Sequence, residues 1–241
     1  KNVAITANHG GGISNFGITN LVNSTVSGNT SGSPQSGLGL AGGIFNYATL
    51  NVTNSTISNN TVLGRTAVGG GILSGFGSTL NISNSTLQGN VANGENGEGY
   101  GGAIHADSGA VVTITGTTFS GNVAIDGGFG SGGALDLNVG TTVTVTSSLF
   151  QNNVASNTPE GTSGGAGQGG AISNGGRLTV SKSTFSGNQA LGGAAGFATG
   201  GAIYSVGFQS ALDLSNSTLI NNRAMAGPAV PGLFGGIASG G

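Results

Sequence analysis

A Gly-Gly pair followed by small or aliphatic residues recurs along this chain of 241 residues, and this repeat constrains the fold more than any other feature. The most complete copy is Gly101-Gly102-Ala103-Ile104, and successive copies begin 28 to 37 residues apart. The other copies begin at Gly11, Gly42, Gly70, Gly132, Gly169, Gly200 and Gly235. A recurring period of about 30 residues is typical of stacked supersecondary units, so we expect a solenoid.

A second motif follows each of the first seven Gly-Gly pairs: a large apolar residue and, three positions later, an asparagine. These asparagines are Asn29, Asn60, Asn90, Asn122, Asn153, Asn188 and Asn222. The residue before each of them is glycine or asparagine, the types that best tolerate a positive φ. We therefore predict a left-handed corner here, with hydrogen bonds joining the asparagine side chains from coil to coil as a structural ladder.

Short alternating segments lie between the two motifs, as in Val112 to Thr115 and Val143 to Thr146. Period-two alternation rich in Val, Ile and Thr is typical of a half-buried strand. The sequence therefore predicts an all-β parallel β-helix, a solenoid of about seven to eight coils of roughly 31 residues with three short strands each. Phe119, Phe150 and Phe185 should stack inside it, in a file that Ile57 and Leu87 extend.

Composition narrows the possible partners. Charged residues make up only 5% of the chain and the formal net charge is -2, which argues against binding to nucleic acid. The absence of cysteine excludes disulfides and thiolate metal sites, and no apolar run is long enough for a membrane span in this segment. We expect no cofactor and no metal.

The repeat runs through residues 1–241 without a break in composition, so we predict a single solenoid domain. Both ends fall inside a repeat, and we expect a processed form or a fragment of a longer repeat protein.

The two motifs together resemble the repeats of polymorphic outer-membrane proteins and related surface proteins, as seen in Gly101 to Ile104 followed by Phe119 to Asn122. That resemblance covers nearly the whole chain and implies a right-handed parallel β-helix. It also implies a secreted or surface-displayed bacterial passenger, often involved in adhesion. In one respect the sequence departs from the autotransporter members: we expect no C-terminal amphipathic barrel region within these residues.

A polar column follows the Gly-Gly motif, and we expect it to face outward: Asn46, Ser74, His105, Asp136, Ser173 and Tyr204. His105 and Asp136 should be neighbours on adjacent coils, with Asp107 and Asn138 on the same face. Such a patch offers an acid-base pair or a weak metal site, but the favoured interpretation is a solvated ion pair. The dense acidic constellation of β-helix polysaccharide lyases and hydrolases is missing, so an enzyme is only the runner-up.

Two further surfaces are candidates. Loops after the asparagine corner should emerge along one ridge, where repeat proteins often bind ligands. The candidate binding residues of this ridge are Glu95, Glu98, Tyr100, Asp126, Phe129, Glu160 and Phe197. The outward Thr, Ser and Asn residues of the middle strand resemble the ice-binding face of some solenoid antifreeze proteins, although Asn20, Asn51, Asn81 and Asp213 interrupt the threonine file.

We therefore expect a non-catalytic structural or adhesive module, secreted or on the cell surface. Its partner would be a surface ligand, a glycan, or copies of itself stacked end to end into filaments, because an uncapped solenoid exposes strand edges. The alternatives are a polysaccharide-binding or polysaccharide-cleaving protein and an ice-binding protein.

Overall fold

A computed structural model describes residues 3–4, 10–157, 164–231 and 235–241. These residues form a parallel β-solenoid of about 7 turns of about 31 residues, and they contain strands but no helix. The predicted fold class is therefore confirmed. Within this described part of the chain, no segment forms an apolar helix of membrane-spanning length.

Three sheets of seven parallel strands each make up most of the coil. The strands of sheet 1, which follow the Gly-Gly corner, are Ile13–Asn15, Ile44–Asn46, Ile72–Ser74, Ile104–Ala106, Leu135–Leu137, Ile172–Asn174 and Ile203–Ser205. The strands of sheet 2, the alternating segments, are Ile18–Val22, Thr49–Thr53, Thr79–Ser83, Val111–Thr115, Thr142–Thr146, Arg177–Ser181 and Ala211–Ser215. The strands of sheet 3 are Thr25–Ser27, Thr56–Ser58, Thr86–Gln88, Thr118–Ser120, Leu149–Gln151, Thr184–Ser186 and Thr218–Ile220.

A fourth sheet of 13 strands closes the coil after the asparagine corner. The strands of sheet 4 are Val3–Ala4, Thr30–Gly32, Leu38–Leu40, Thr61–Val68, Val91–Tyr100, Val123–Asp126, Phe129–Ser131, Val154–Asn157, Ala166–Gln168, Gln189–Leu191, Ala198–Thr199, Arg223–Met225 and Ala238–Ser239.

Sheet 4 shows that two predictions are wrong. Each coil adds strands to four sheets rather than three, and much of the predicted loop ridge is strand: Glu95, Glu98 and Tyr100 all lie in Val91–Tyr100. This glycine-rich segment is extended because the neighbouring coils offer it hydrogen-bonding edges on both sides.

The Gly-Gly corner allows a close approach of backbones. A Cβ atom on Gly102 would collide with the carbonyl oxygen of Gly133 on the next coil and would lie 2.5 Å from the Val123 nitrogen. Only glycine fits such a contact, so this glycine serves the backbone.

The phenylalanine file is confirmed. The ring centroids of Phe119 and Phe150 are 4.6 Å apart with planes 3° from parallel, and Phe150 and Phe185 are 4.7 Å apart at 5°. Leu87 and Ile57 continue the file on the preceding coils, and all five side chains are buried.

The asparagine ladder is also confirmed. Each Nδ2 donates to Oδ1 of the next asparagine over 2.8 to 3.0 Å, from Asn29 through to Asn222. The backbone N–H of each asparagine donates to the same Oδ1, so every acceptor between coils is shared by two donors. The residue before each ladder asparagine has a positive φ, as predicted. The ladder therefore fixes the coil-to-coil register inside the corner.

A neighbouring coil determines whether a core position is buried. Phe185 is fully buried in its file, whereas Leu219, next in that file and on the last described full coil, is 46% exposed. Leu212 and Leu214 of the same coil are exposed to a similar extent. Burial in this fold comes from stacking and not from residue type alone.

Candidate ligand-binding groove

The strand pairing places His105 in a different column from the one predicted. Ile44 and Ile72 align with Ile104, so the early repeats shift by one residue against an alignment on Gly-Gly pairs. His105 therefore stacks beside Leu73 and beyond it Phe45, while Asn46 and Ser74 belong to the column of Ala106.

The predicted outward exposure of this polar column is wrong. His105 and Asp136 are only 5% and 6% exposed, and Asn46, Ser74 and Ser173 are buried as well, while Tyr204 is half-buried. His105 is buried because side chains of sheet 4, Tyr100 among them, cover the corner beside sheet 1. Asn46 and Ser74 lie instead in the column of Ala106, where they hydrogen-bond to Thr79 and Ser78. Phe45, Val68 and Leu73 form an apolar cluster separate from the main core, and Leu40 and Tyr100 pack against it.

Four predicted residues lie together at this corner. His105 Nδ1 lies 2.8 Å from Oδ2 of Asp136 on the next coil, and His105 Nε2 lies 3.4 Å from Asp107 Oδ1. Asn138 Nδ2 donates to Asp107 Oδ1 over 3.1 Å and lies 3.3 Å from His105 Nε2. Ser131, from sheet 4, donates its hydroxyl to Asp136 Oδ1 over 2.6 Å and so ties the two sheets together.

The two carboxylates control the protonation of His105. Burial alone would lower the pKa of His105, but hydrogen bonds to Asp107 and Asp136 and their negative charges outweigh it and raise the pKa to about 9. The hydrogen bond from His105 lowers the pKa of Asp107 in spite of its partial burial. At neutral pH the corner therefore holds an imidazolium between two carboxylates.

This arrangement suits binding better than proton transfer to a substrate. A general base needs a free basic nitrogen near neutral pH, and both His105 nitrogens face carboxylates in their protonated form. Asp107, whose pKa is lowered, is a weak base. In the part of the chain that the structure describes, no group of three or more His, Cys, Asp or Glu residues is arranged to hold a metal ion.

A groove opens beside the cluster. One cavity of about 420 Å³ is bounded by apolar side chains of sheets 4 and 1 and by Tyr100, with His105, Asp107 and Asn138 at its polar end. A second cavity of about 590 Å³ adjoins it at Thr66 and is lined by Arg65, Glu98 and Phe129. Each volume lies in the range of sites that bind small ligands or segments of longer ones.

Aromatic rings continue along this side of the solenoid. The Tyr100 ring lies 6.1 Å from the His105 ring and 6.3 Å from Phe129, measured between centroids. Phe45 and Tyr47 stack with centroids 5.8 Å apart, and Phe16 contacts both. Tyr47 is 51% exposed and Phe16 is 64% exposed. Of these rings, Tyr100 and Phe129 line the two cavities.

The other predicted site residues are dispersed. Glu98 and Phe129 line the second cavity, while Glu95 is exposed in the same strand as Glu98. Asp126 ends the strand Val123–Asp126, Phe197 is exposed just before Ala198–Thr199, and Glu160 lies outside the described residues. The predicted ridge is therefore brought to the groove only in part, through Glu98, Tyr100 and Phe129.

The threonine face lies on sheet 2, away from the groove. Asn20, Asn51 and Asn81 form a second, exposed ladder with Nδ2 to Oδ1 distances of 2.8 and 2.9 Å, and Thr113, Thr144 and Thr179 continue the column. The predicted column of threonines and the asparagines that interrupt it are both present.

Sequence reasoning missed Val68, Leu73 and Arg65, which line the cavities, and Ser131, which hydrogen-bonds to Asp136. Aligning the repeats on the aliphatic residue after the glycines, instead of on the glycines, would have placed Leu73 beside His105.

Comparisons of the chain with protein-family models, with curated proteins and with solved structures found no match. The parallel β-solenoid is established by the structure alone.

Proposed function

We propose that the protein is an extracellular adhesive module that binds a glycan chain in the corner groove without cleaving it. One observation carries this proposal: the groove joins an apolar and aromatic wall to the hydrogen-bonded pair of Asp107 and Asn138. Pyranose rings present both an apolar face and a rim of hydroxyls, so they match such a surface.

The polar pair retains hydrogen-bonding capacity. Asp107 uses Oδ1 for His105 and Asn138, while its Oδ2 and the Asn138 Oδ1 atom have no hydrogen-bond partner among the described residues. Both residues are partly exposed, unlike His105 and Asp136. The buried pair therefore positions the exposed pair, which is the part that meets the ligand.

The proposed setting is a secreted or cell-surface protein, in keeping with the resemblance to outer-membrane protein repeats. Sparse charge and many exposed hydroxyls are consistent with a surface module. The proposal leaves out cleavage because the cluster keeps the protons of His105 between its own carboxylates.

Isothermal titration with a panel of neutral, basic and acidic hexasaccharides tests this function. We expect binding by at least one of them, and a loss of at least about tenfold in affinity for Tyr100→Ala and Asn138→Ala, equivalent to about 1.4 kcal/mol. Thr144→Ala, on the outer face of sheet 2, is the control and should bind normally. Failure to bind any glycan, or release of new reducing ends, would overturn the proposal.

A second candidate function is end-to-end association. The leucines of the last described full coil, such as Leu219, are exposed in columns that are buried elsewhere. A further coil, from a longer chain or from a second copy, would cover them. Sedimentation equilibrium over a range of concentrations tests this in the present chain: a mass that stays monomeric throughout removes self-association.

A further inference from the structure

We propose that the glycan recognised by the groove is a basic one, a chain of amino sugars whose ammonium groups pair with Asp107 and Glu98. This inference rests on the proposed function and specifies its ligand class. It follows from the distribution of charge along the groove.

The cluster beside Tyr100 carries an unbalanced negative charge. The charge of the His105 imidazolium is balanced by Asp136, which is buried with it at 2.8 Å. The negative charge of Asp107 then remains unbalanced, and 38% of its side chain is exposed at the cavity. A ligand at this end of the groove therefore meets a carboxylate and not a cation.

The second cavity adds another carboxylate. Glu98 is exposed and stands between Thr66 and Phe129 on consecutive coils, two residues before Tyr100. Arg65 lines the same cavity and forms no ion pair within 4.0 Å among the described residues. Counting Glu98, Asp107 and Arg65 as -1, -1 and +1 gives the exposed groove a net charge of -1.

The rings lie between these two carboxylates. Tyr100 contacts both Phe129, at the Glu98 end, and His105, at the Asp107 end. A pyranose ring stacked on Tyr100 would direct its substituents toward either carboxylate. Ammonium groups gain there from charge-assisted hydrogen bonds and from the ring faces, whereas the carboxylates of a uronic acid chain would be repelled.

Binding of three hexasaccharides distinguishes the ligand classes: glucosamine, N-acetylglucosamine and galacturonic acid. At mildly acidic pH the amines are protonated, and Asp107, whose pKa is lowered, stays ionised. We expect the glucosamine chain to bind at least about tenfold more tightly than the acetylated chain, a difference of about 1.4 kcal/mol. Its affinity should fall with added salt, and the galacturonic acid chain should not bind.

Two substitutions remove the charges while keeping the shapes of the side chains. Asp107→Asn and Glu98→Gln should each reduce the preference for the glucosamine chain over the acetylated chain, from at least about tenfold to about threefold or less. Asp213→Asn, on an exposed strand of sheet 2, makes the same change of group elsewhere and should alter nothing. Glu98→Gln, at an exposed position, keeps the test informative if Asp107→Asn unfolds.

The outcomes separate this inference from the proposed function. Equal binding of the acetylated and amino chains, or tighter binding of the acidic chain, overturns the basic ligand and leaves glycan binding standing. Binding of a lysine hexapeptide as tightly as the glucosamine chain overturns the assignment to a sugar. If none of the three saccharides binds, the inference and the proposed function fail together.

Discussion

The interior of the coils and the corner groove both contain ordered polar residues, but they use them differently. Inside, the same asparagine recurs on seven coils, and its side-chain bonds go to the neighbouring asparagines and, from Asn60 onward, to a backbone carbonyl of the preceding coil. At the corner, His105, Asp107 and Asp136 occur once, and part of their hydrogen-bonding capacity faces the groove. In this solenoid, the residues that recur on every coil hold the fold together, whereas the polar residues that occur only once mark the proposed ligand site.

The largest expected effect is in the interior. Phe150→Ala should reduce the free energy of unfolding by about 3–5 kcal/mol, because the phenylalanine file cannot close around the cavity. Denaturant titration measures the loss. Leu219→Ala, in the same file but 46% exposed, is the matched control and should cost much less. Equal losses at both positions would contradict the view that stacking creates the core.

The next effect concerns pH and the corner. The pKa of His105 is raised from 6.5 to about 9, so its stabilisation is complete below about pH 6.5 and is lost as the pH rises through about 9. A shift of this size corresponds to about 3 kcal/mol. Urea unfolding between these pH values should show the decline in wild type and not in His105→Gln. A flat profile in wild type would mean that the imidazolium does not bridge the two coils.

A smaller loss is expected in the ladder. Asn122→Ala leaves the backbone N–H and one amide hydrogen of Asn90 without their buried acceptor, and should cost about 2 kcal/mol or more. Asn81→Ala removes a similar bond from the exposed ladder of sheet 2 and should cost about 0.5 kcal/mol or less, since water replaces it. Thermal unfolding compares the two variants. Neither substitution should change the affinity for the glycan. A change in affinity would contradict the assignment of glycan binding to the groove.

The effect on stability in the groove should be smaller than that in the interior ladder. Asn138→Ala removes one partly exposed hydrogen bond to Asp107 and should cost about 0.5–1.5 kcal/mol in unfolding free energy. Its effect on glycan affinity, at least about tenfold, should exceed that of any ladder variant. Calorimetry on one sample measures both the loss of unfolding free energy and the loss of glycan affinity. If Asn138→Ala loses stability and keeps its affinity for the glycan, Asn138 has a structural role and does not bind the ligand.

The features that depend on repetition were accessible from the sequence. The left-handed corner, the asparagine ladder and the phenylalanine file each come from one residue type at one place in the repeat, and stacking copies in register was enough to predict them. Most of the strand Val91–Tyr100, including Glu95, Glu98 and Tyr100, was predicted to be loop, because its glycines and glutamates carry no strand pattern of their own. Its conformation is imposed by the coils on either side.

The groove was predicted only in part for a related reason. His105, Asp107, Asp136 and Asn138 were correctly grouped, since neighbouring coils place equivalent residues side by side. Their burial was missed because it depends on Val68 and Tyr100, which reach the corner from sheet 4. Contacts between different sheets follow from the shape of the coil, which the repeat period alone does not specify.

Mapping amide chemical shifts during titration with the glucosamine hexasaccharide tests the central claim most directly. The account predicts saturable shifts for residues around the groove, including Tyr100, His105, Asp107 and Asn138. The ladder asparagines and the outer face of sheet 2 should stay unchanged. Shifts concentrated on sheet 2 or on the last coil, with the groove silent, would contradict it.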